Sequence, residues 1–203
     1  EPDFNGKCWS GTPEEFFDLF EITAKHLKSC FPEIKIRGPA VCGYGQWLFP
    51  FFDEMEKRRV PMDFYSWHRY SSKIEDYVKD VRLHRALLDD HGYTKCESIL
   101  NEWNGEEWKQ SLVTELSTKG AAFIAAVATA CQHEGLDMLM YYDARINSSM
   151  NGLFKFVTLD PLKGYYPIKI WGEMLQSDGE CETYCDIPDI YAVSAVKDGA
   201  SVT

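Results

Sequence analysis

The hydrophobic positions of this chain recur with helical spacing in some segments and with strand-like spacing in the segments between them. The helical spacing predicts five helices, at about residues 12–30, 46–59, 73–90, 114–133 and 165–175. Short apolar or alternating runs predict four strands, at about residues 34–37, 62–68, 96–103 and 136–142. Strand and helix therefore alternate after the first helix, which is typical of parallel βαβ units.

Two short segments predict where elements begin and end. Thr12–Glu15 combines a capping box with a proline at the first helical position, so it predicts the start of the first helix. Gly38 and Pro39 follow the alternating run at 34–37, and we expect them to end that strand.

The carboxyl ends of the predicted strands fall at similar intervals. We place them at Gly38, His68, Glu102 and Asp143, which are 30, 34 and 41 residues apart. Counting back a similar step from Gly38 leads close to the first residue. We therefore expect Glu1 to lie at the end of a further strand whose body is absent from this chain.

The pattern changes after the last predicted helix. Residues 190–196 alternate as a strand, residues 197–200 predict a hairpin turn, and a second strand begins at Ser201. We therefore expect two domains: residues 1–177, built from βα units, and residues 178–203, the start of a truncated β-rich accessory unit.

Acidic residues outnumber basic ones, since 32 Asp and Glu against 21 Lys and Arg give a formal net charge of −11. The longest basic run is Lys57–Arg59, whereas a nucleic-acid surface needs several clustered cations to neutralise phosphates. The longest apolar run, Ala121–Cys131, is shorter than the about 20 residues of a membrane-spanning helix. We therefore expect neither nucleic acid nor a membrane as a partner.

Seven cysteines are scattered along the chain without a Cys-x2-Cys pair, so we expect no zinc site and no other metal centre. The odd count and the apolar surroundings of Cys30, Cys96 and Cys131 favour buried, reduced thiols and a cytoplasmic location. A disulfide between Cys181 and Cys185 is an alternative. The first residues lack the features of a signal peptide, although a longer parent chain could carry one.

The predicted strand ends carry acidic, aromatic and histidine side chains, and active residues of parallel βα folds lie at such ends. Glycoside hydrolysis needs two carboxylates, one to protonate the leaving oxygen and one to attack the anomeric carbon. Glu1 and Glu102 are our candidates for this pair. The candidate substrate-binding residues are Trp67, His68, Tyr70, Asn101, Tyr142 and Arg145. Aromatic residues make up 14% of the chain, which suits stacking on sugar rings.

Several segments occur in the order and at the spacing of strands in a barrel enzyme. They are Glu1–Asp3, Trp9–Phe17, Lys35–Ala40, Pro61–Tyr70 and Asn101–Asn104. On these segments, residues 1–176 resemble the family 39 glycoside hydrolases, which include β-xylosidases and α-L-iduronidases.

The resemblance implies an α/β fold, namely a partial (β/α)8 TIM barrel that runs from the end of strand 4 through helix 8. Glu1 would be the general acid/base of the family's Asn-Glu-Pro motif, Glu102 the nucleophile, and His68 and Tyr70 would line a sugar subsite. The implied function is retaining hydrolysis of O-glycosidic bonds in β-xyloside-like substrates, without a cofactor. One departure is Tyr141–Asp143, where many members carry Trp, so the resemblance leaves the identity of the sugar undecided.

Other interpretations of the same residues stay open. The chain could be a non-catalytic carbohydrate-binding or structural remnant of such an enzyme, or an unrelated α/β enzyme with Cys42 as nucleophile. Arg145 could pair with Asp143 or orient Glu102. A free α-amino group on Glu1 would oppose its role as an acid, so we expect weak catalysis from this chain.

The same partial barrel also raises an expectation about assembly. Half of a barrel exposes two sheet edges, through which we expect the chain to be able to self-associate.

Overall fold

The computed structural model of the chain describes residues 1–4, 6–43, 45–105, 117–146 and 152–202. The helices in these ranges are α1 (Pro13–Cys30), α2 (Gly45–Lys57), α3 (Ile74–Asp90), α4 (Thr118–Cys131) and α5 (Tyr165–Met174). The strands are β1 (Arg37–Val41), β2 (Phe64–Tyr70), β3 (Glu97–Asn104), β4 (Met138–Tyr141), β5 (Gly179–Cys181), β6 (Ser194–Lys197) and β7 (Ala200–Val202).

These elements confirm the predicted alternation of strands and helices, with ends that shift by a few residues. The largest helix shift is at α4, which begins at Thr118 rather than at residue 114. The first residues of that predicted helix, 114–116, lie outside the described ranges. The predicted capping box is present at the start of α1, where the Thr12 hydroxyl accepts from the Glu15 amide at 3.2 Å and the Glu15 carboxylate accepts from the Thr12 amide at 2.8 Å.

Strands β1 to β4 form one sheet in the order β1-β2-β3-β4, and a helix follows each strand along the chain. β1 and β2 pair in parallel, with Arg37 opposite Phe64 and Val41 opposite Trp67. Parallel strands joined by helices bring their carboxyl ends to one edge of a sheet. That edge is where the sequence predicted the functional side chains.

The first strand corrects one prediction. We expected Gly38 and Pro39 to end it, but both lie inside β1. Within the described sheet, β1 is at the end of the strand order, and an edge strand tolerates a proline because it leaves one side of its backbone unpaired. Gly38 is needed for close packing, since an added Cβ would lie 2.5 Å from the Met62 sulfur.

The described residues divide into two compact units. The first unit contains residues 1–69, 79–103 and 135–140, and the second contains residues 70–78, 104–134 and 141–203. The predicted domain boundary at residue 177 lies inside the second unit and stays a prediction.

The core of the first unit is rich in aromatic rings. Phe17 of α1 and Phe51 of α2 meet edge-to-face with centroids 5.8 Å apart, and Phe52 lies 5.1 Å from Tyr65 of β2. All four side chains are at most 1% exposed. These contacts fix the helix-facing side of β2.

In the second unit, α4 packs against α5, and β5, β6 and β7 form a separate antiparallel sheet. Asp198 and Gly199 connect β6 to β7 with φ angles of 52° and 77°, which confirms the predicted hairpin turn. The strand predicted at 190–196 is shorter and later, since β6 begins at Ser194. Strand β5 was not predicted, because its three residues carry no alternating apolar pattern.

All seven cysteines are free thiols, so the alternative disulfide between Cys181 and Cys185 is absent. Cys96 and Cys131 are buried as predicted, but Cys30 is exposed. The prediction for Cys30 was wrong because this residue is the last of α1 and lies at the exposed end of that helix. Among the described residues, no helix has the length and apolar character needed to cross a membrane.

Candidate active site

The structure brings Glu1, His68 and Glu102 together in the first unit. Nδ1 of His68 lies 2.9 Å from Oε1 of Glu1 and 3.7 Å from Oε2 of Glu102. One side-chain donor atom from each residue lies within 4.8 Å of the other two. His68 and Glu102 come from the neighbouring strands β2 and β3, whereas Glu1 comes from the segment that precedes α1.

The three side chains differ in exposure. The His68 side chain is 5% exposed, so its ring is fixed by its surroundings, whereas the side chains of Glu1 and Glu102 are 28% and 22% exposed. Two partly accessible carboxylates thus flank one buried imidazole. In this arrangement the two carboxylates can exchange protons with a bound molecule while the buried imidazole keeps them in position.

The position of Glu1 depends on Asp3. Both Asp3 carboxylate oxygens accept from the Cys42 amide at 3.0 Å, and Oδ2 also accepts from the Gly43 amide at 2.7 Å. Cys42 and Gly43 directly follow β1, so these bonds attach the Glu1 segment to the carboxyl end of that strand. The sequence analysis missed Asp3 because backbone amides carry no signal in the sequence.

Trp67 does not lie where a substrate-binding residue would. Its side chain is 1% exposed, its ring centroid is 4.2 Å from that of His84, and its indole N–H donates to the Ser98 hydroxyl at 3.2 Å. The indole is therefore part of the core behind β2. Successive residues of a strand point to opposite faces of the sheet, so His68 and Trp67 cannot both face the site.

Asn101 is engaged with protein groups beside Glu102. With its amide oriented to suit its neighbours, its nitrogen donates to the Trp67 carbonyl at 3.1 Å and its oxygen accepts from Arg37 at 3.3 Å. Arg37 also donates through Nε to the Ser66 hydroxyl at 2.9 Å. Arg37 and Asn101 therefore link three neighbouring strands just below the site.

The remaining candidates, Tyr70, Tyr142 and Arg145, belong to the second unit. There Arg145 forms an ion pair with Asp143 at 2.9 Å, and its guanidinium lies 5.7 Å from the Tyr142 ring. The pairing with Asp143 is one of the two roles expected for Arg145. Contact of these three residues with a sugar stays a prediction.

The environment of Cys42 argues against its use as a nucleophile. Burial, followed by the negative charges of Asp3 and Glu1, raises the pKa of the Cys42 thiol to about 12. The thiolate is the reactive form, so a thiol that stays protonated at neutral pH is a poor nucleophile.

The chain matches the family model "Glycosyl hydrolases family 39" over residues 1–101. It is 39% identical over 123 residues to a beta-xylosidase of Geobacillus stearothermophilus, a match that covers 51% of this chain and 24% of that protein. It is 34% identical over 74 residues to a beta-xylosidase of Caldicellulosiruptor saccharolyticus, covering 36% of this chain and 15% of that protein.

Two solved structures resemble this fold. The glucosidase from Croceicoccus marinus matches 98% of this chain and 43% of its own, with a TM-score of 0.84 and 24% identity. The GH39 beta-xylosidase from Caulobacter crescentus matches 97% of this chain and 42% of its own, with a TM-score of 0.72 and 18% identity. This chain therefore spans less than half the length of each of these relatives. Its α/β fold with a parallel sheet fits part of a TIM-barrel enzyme.

Proposed function

This chain belongs to glycoside hydrolase family 39, and on that premise we propose that it hydrolyses O-glycosidic bonds with Glu102 as nucleophile and Glu1 as acid/base. The observation that carries this proposal is the closeness of the two side chains, which each place an oxygen within 4.8 Å of the other. Retaining enzymes hold their carboxyl groups about 5–5.5 Å apart, and inverting enzymes about 6.5–9.5 Å apart to admit a water. The short separation favours the retaining reaction.

The reaction has two steps. First, the Glu102 carboxylate attacks the anomeric carbon while Glu1 gives its proton to the departing glycosidic oxygen, which leaves as an alcohol. Glu1 is then a carboxylate, and it removes a proton from a water that attacks the same carbon. The bond to Glu102 breaks, the sugar leaves with retained configuration, and Glu1 is protonated again.

His68 holds the two carboxylates in place for these steps. Its Nδ1 lies at hydrogen-bond distance from Glu1 and only slightly farther from Glu102. Because the ring is buried, it fixes both groups without being displaced by solvent. A hydrogen bond from the imidazole to a sugar hydroxyl remains part of the proposal.

The proposed substrate class is β-xyloside-like, since two relatives are named beta-xylosidase. Tyr70, Asn101, Tyr142 and Arg145 are the further proposed sugar contacts, and Trp67 supports them from the core. We also propose that residues 1–177 correspond to the barrel from the end of strand 4 through helix 8, with the accessory unit from residue 178. The seven free thiols support a cytoplasmic location.

The first test measures hydrolysis of an aryl β-xyloside and follows the anomer of the released sugar by NMR. We expect the β anomer to appear first. Glu102→Gln keeps the shape of the side chain but removes the nucleophile, so kcat/KM should fall by at least about 10⁴-fold. The matched control is Glu33→Gln, which changes an exposed glutamate and should leave the rate unchanged. First release of the α anomer would contradict the retaining mechanism.

A second test separates the roles of the two glutamates by adding azide as an external nucleophile. With Glu102→Ala, azide should attack the sugar directly and give the α-glycosyl azide. With Glu1→Ala, azide should attack the glycosyl-enzyme and give the β-glycosyl azide. Exchange of these two products would reverse the assigned roles.

The alternative is a chain that binds carbohydrate without catalysis, and the two partly exposed glutamates of the site, which could accept hydrogen bonds from sugar hydroxyls, favour it as the second candidate. It predicts that xylo-oligosaccharides bind to the wild type and to Glu102→Gln with similar affinity and that neither protein releases sugar. Calorimetry on both proteins together with the hydrolysis assay decides between the two functions.

A further inference from the structure

The donor atoms of Glu1, His68 and Glu102 match a metal-ligand set as well as a catalytic one. The set consists of two carboxylates and one imidazole nitrogen, gathered within 4.8 Å of one another. The distances between these three atoms can be compared with the distances between the ligand atoms of a bound zinc ion. Zn–N and Zn–O bonds of about 2.0–2.2 Å place tetrahedral ligand atoms about 3.3–3.5 Å apart.

The observed distances lie on both sides of that value. His68 Nδ1 is 2.9 Å from the Glu1 oxygen and 3.7 Å from the Glu102 oxygen. The oxygens of Glu1 and Glu102 lie within 4.8 Å of one another, so movement of these two partly exposed side chains toward a bound ion would create three corners of a tetrahedron. The buried imidazole supplies a fixed corner, and solvent or an added ligand supplies the fourth.

We propose that Glu1, His68 and Glu102 form a binding site for a divalent transition-metal ion, and that the bound ion competes with the glycoside. Metal binding stands on the geometry alone, whereas the competition rests on the proposed function. An ion held by both carboxylates removes the nucleophile and the acid/base from the reaction together.

The donor types define which ions fit. Two carboxylates and an imidazole suit Zn²⁺, whereas Mg²⁺ prefers an octahedron of oxygen ligands and keeps most of its waters. Coordination by Nδ1 requires its lone pair, so His68 binds as the neutral ring with its proton on Nε2. The two carboxylates then neutralise the charge of the ion.

One thiol near the site must be separated from the proposed ligands. Sγ of Cys8 lies 3.8 Å from Oε2 of Glu1, and Cys8 is exposed. Because thiolates are good zinc ligands, Cys8 alone could capture zinc beside the site. Cys8→Ser removes that ligand and leaves the three proposed ones.

Isothermal titration of the whole chain with Zn²⁺ tests the binding. We expect one site that is weakened at least about tenfold in Glu102→Gln and in His68→Gln, but not in Cys8→Ser or in Glu33→Gln. Circular dichroism confirms that each variant is folded, and two separate ligand variants protect the test against the failure of one. Zinc binding that is unchanged in both ligand variants, or lost only in Cys8→Ser, would overturn the proposal.

The activity measurement then separates this proposal from the proposed function. Zn²⁺ should raise the apparent KM for an aryl β-xyloside without changing kcat, and Mg²⁺ at the same concentration should not. Zinc binding that needs Glu102 and His68 in a chain without hydrolytic activity refutes the proposed function and supports the metal site. Hydrolysis that Zn²⁺ leaves unchanged at saturating concentration refutes the metal site and supports the proposed function.

Discussion

Trp67 and His68 are adjacent in β2, yet their side chains lie in two different regions of the first unit. Trp67 is 1% exposed and stacks at 4.2 Å on His84, in the core between sheet and helix. His68 lies instead between the carboxylates of Glu1 and Glu102. Because successive strand residues point to opposite faces, one strand supports both regions. Substitutions behind the strand should therefore change stability, and substitutions in front of it should change chemistry.

The largest expected effect is on the core side. Trp67→Ala removes a fully buried indole and leaves a cavity, so the free energy of unfolding should fall by about 3–5 kcal/mol. Urea denaturation measures this loss. The control Phe156→Ala truncates a side chain that is 77% exposed, and we expect a change within about 0.5 kcal/mol.

His68→Ala completes this comparison. Its loss of stability should be smaller than that of Trp67→Ala, while hydrolysis should fall strongly because the two carboxylates lose their common partner. Equal losses of stability in both variants would show that both faces of β2 contribute equally to the stability of the fold.

The next prediction concerns the pH dependence of stability, and it again involves the core behind β2. Burial, followed by the positive charge of Arg69, lowers the pKa of the His84 imidazole to about 3. The same group titrates near pH 6.5 in an unfolded chain. Between these two pH values the ring is protonated in the unfolded state but neutral in the folded state. The stability contributed by neutral His84 is therefore complete above about pH 6.5 and is lost as the pH falls. The loss approaches about 1.4 kcal/mol per pH unit.

Urea denaturation at about pH 6 and pH 5 measures this dependence. The wild type should lose about 1 kcal/mol more than His84→Phe between the two values, since the variant lacks the titrating ring. Other groups titrate in both proteins and cancel in the difference. Equal pH dependence of wild type and variant would mean that His84 accepts a proton in the folded core.

The order of the elements could be predicted because apolar spacing reports local structure. The extent of β1 could not, since the effect of Pro39 depends on whether its strand has a neighbour on both sides. The sequence of one strand contains no such information. Strand β5 escaped prediction for a similar reason, because three exposed or half-exposed residues become a strand only through pairing with β6.

The site shows the same division. The meeting of Glu1, His68 and Glu102 could be predicted, because parallel strands place their carboxyl ends together. Trp67 and His68 were both predicted to bind substrate, although strand alternation places them on opposite faces. Which of the two faces the core depends on the packing of α3 behind β2. Asp3 was missed because its partners are backbone amides 39 and 40 residues away.

The last prediction tests how the front face of β2 is held. Asp3→Ala removes the acceptors of the Cys42 and Gly43 amides and frees the Glu1 segment from the end of β1. A displaced acid should reduce kcat/KM by about 10- to 100-fold for glycosides of alkyl alcohols, which need protonation to leave. The loss should be much smaller for a nitrophenyl glycoside, whose leaving group departs with little help.

The ratio of the two rates distinguishes positioning from general damage. Asp3→Asn keeps one oxygen acceptor, so its ratio should lie between those of the wild type and Asp3→Ala, and the exposed control Asp90→Asn should match the wild type. A loss of folded protein lowers both rates equally and leaves the ratio unchanged. An unchanged ratio in Asp3→Ala would therefore show that Asp3 stabilises the fold without placing Glu1.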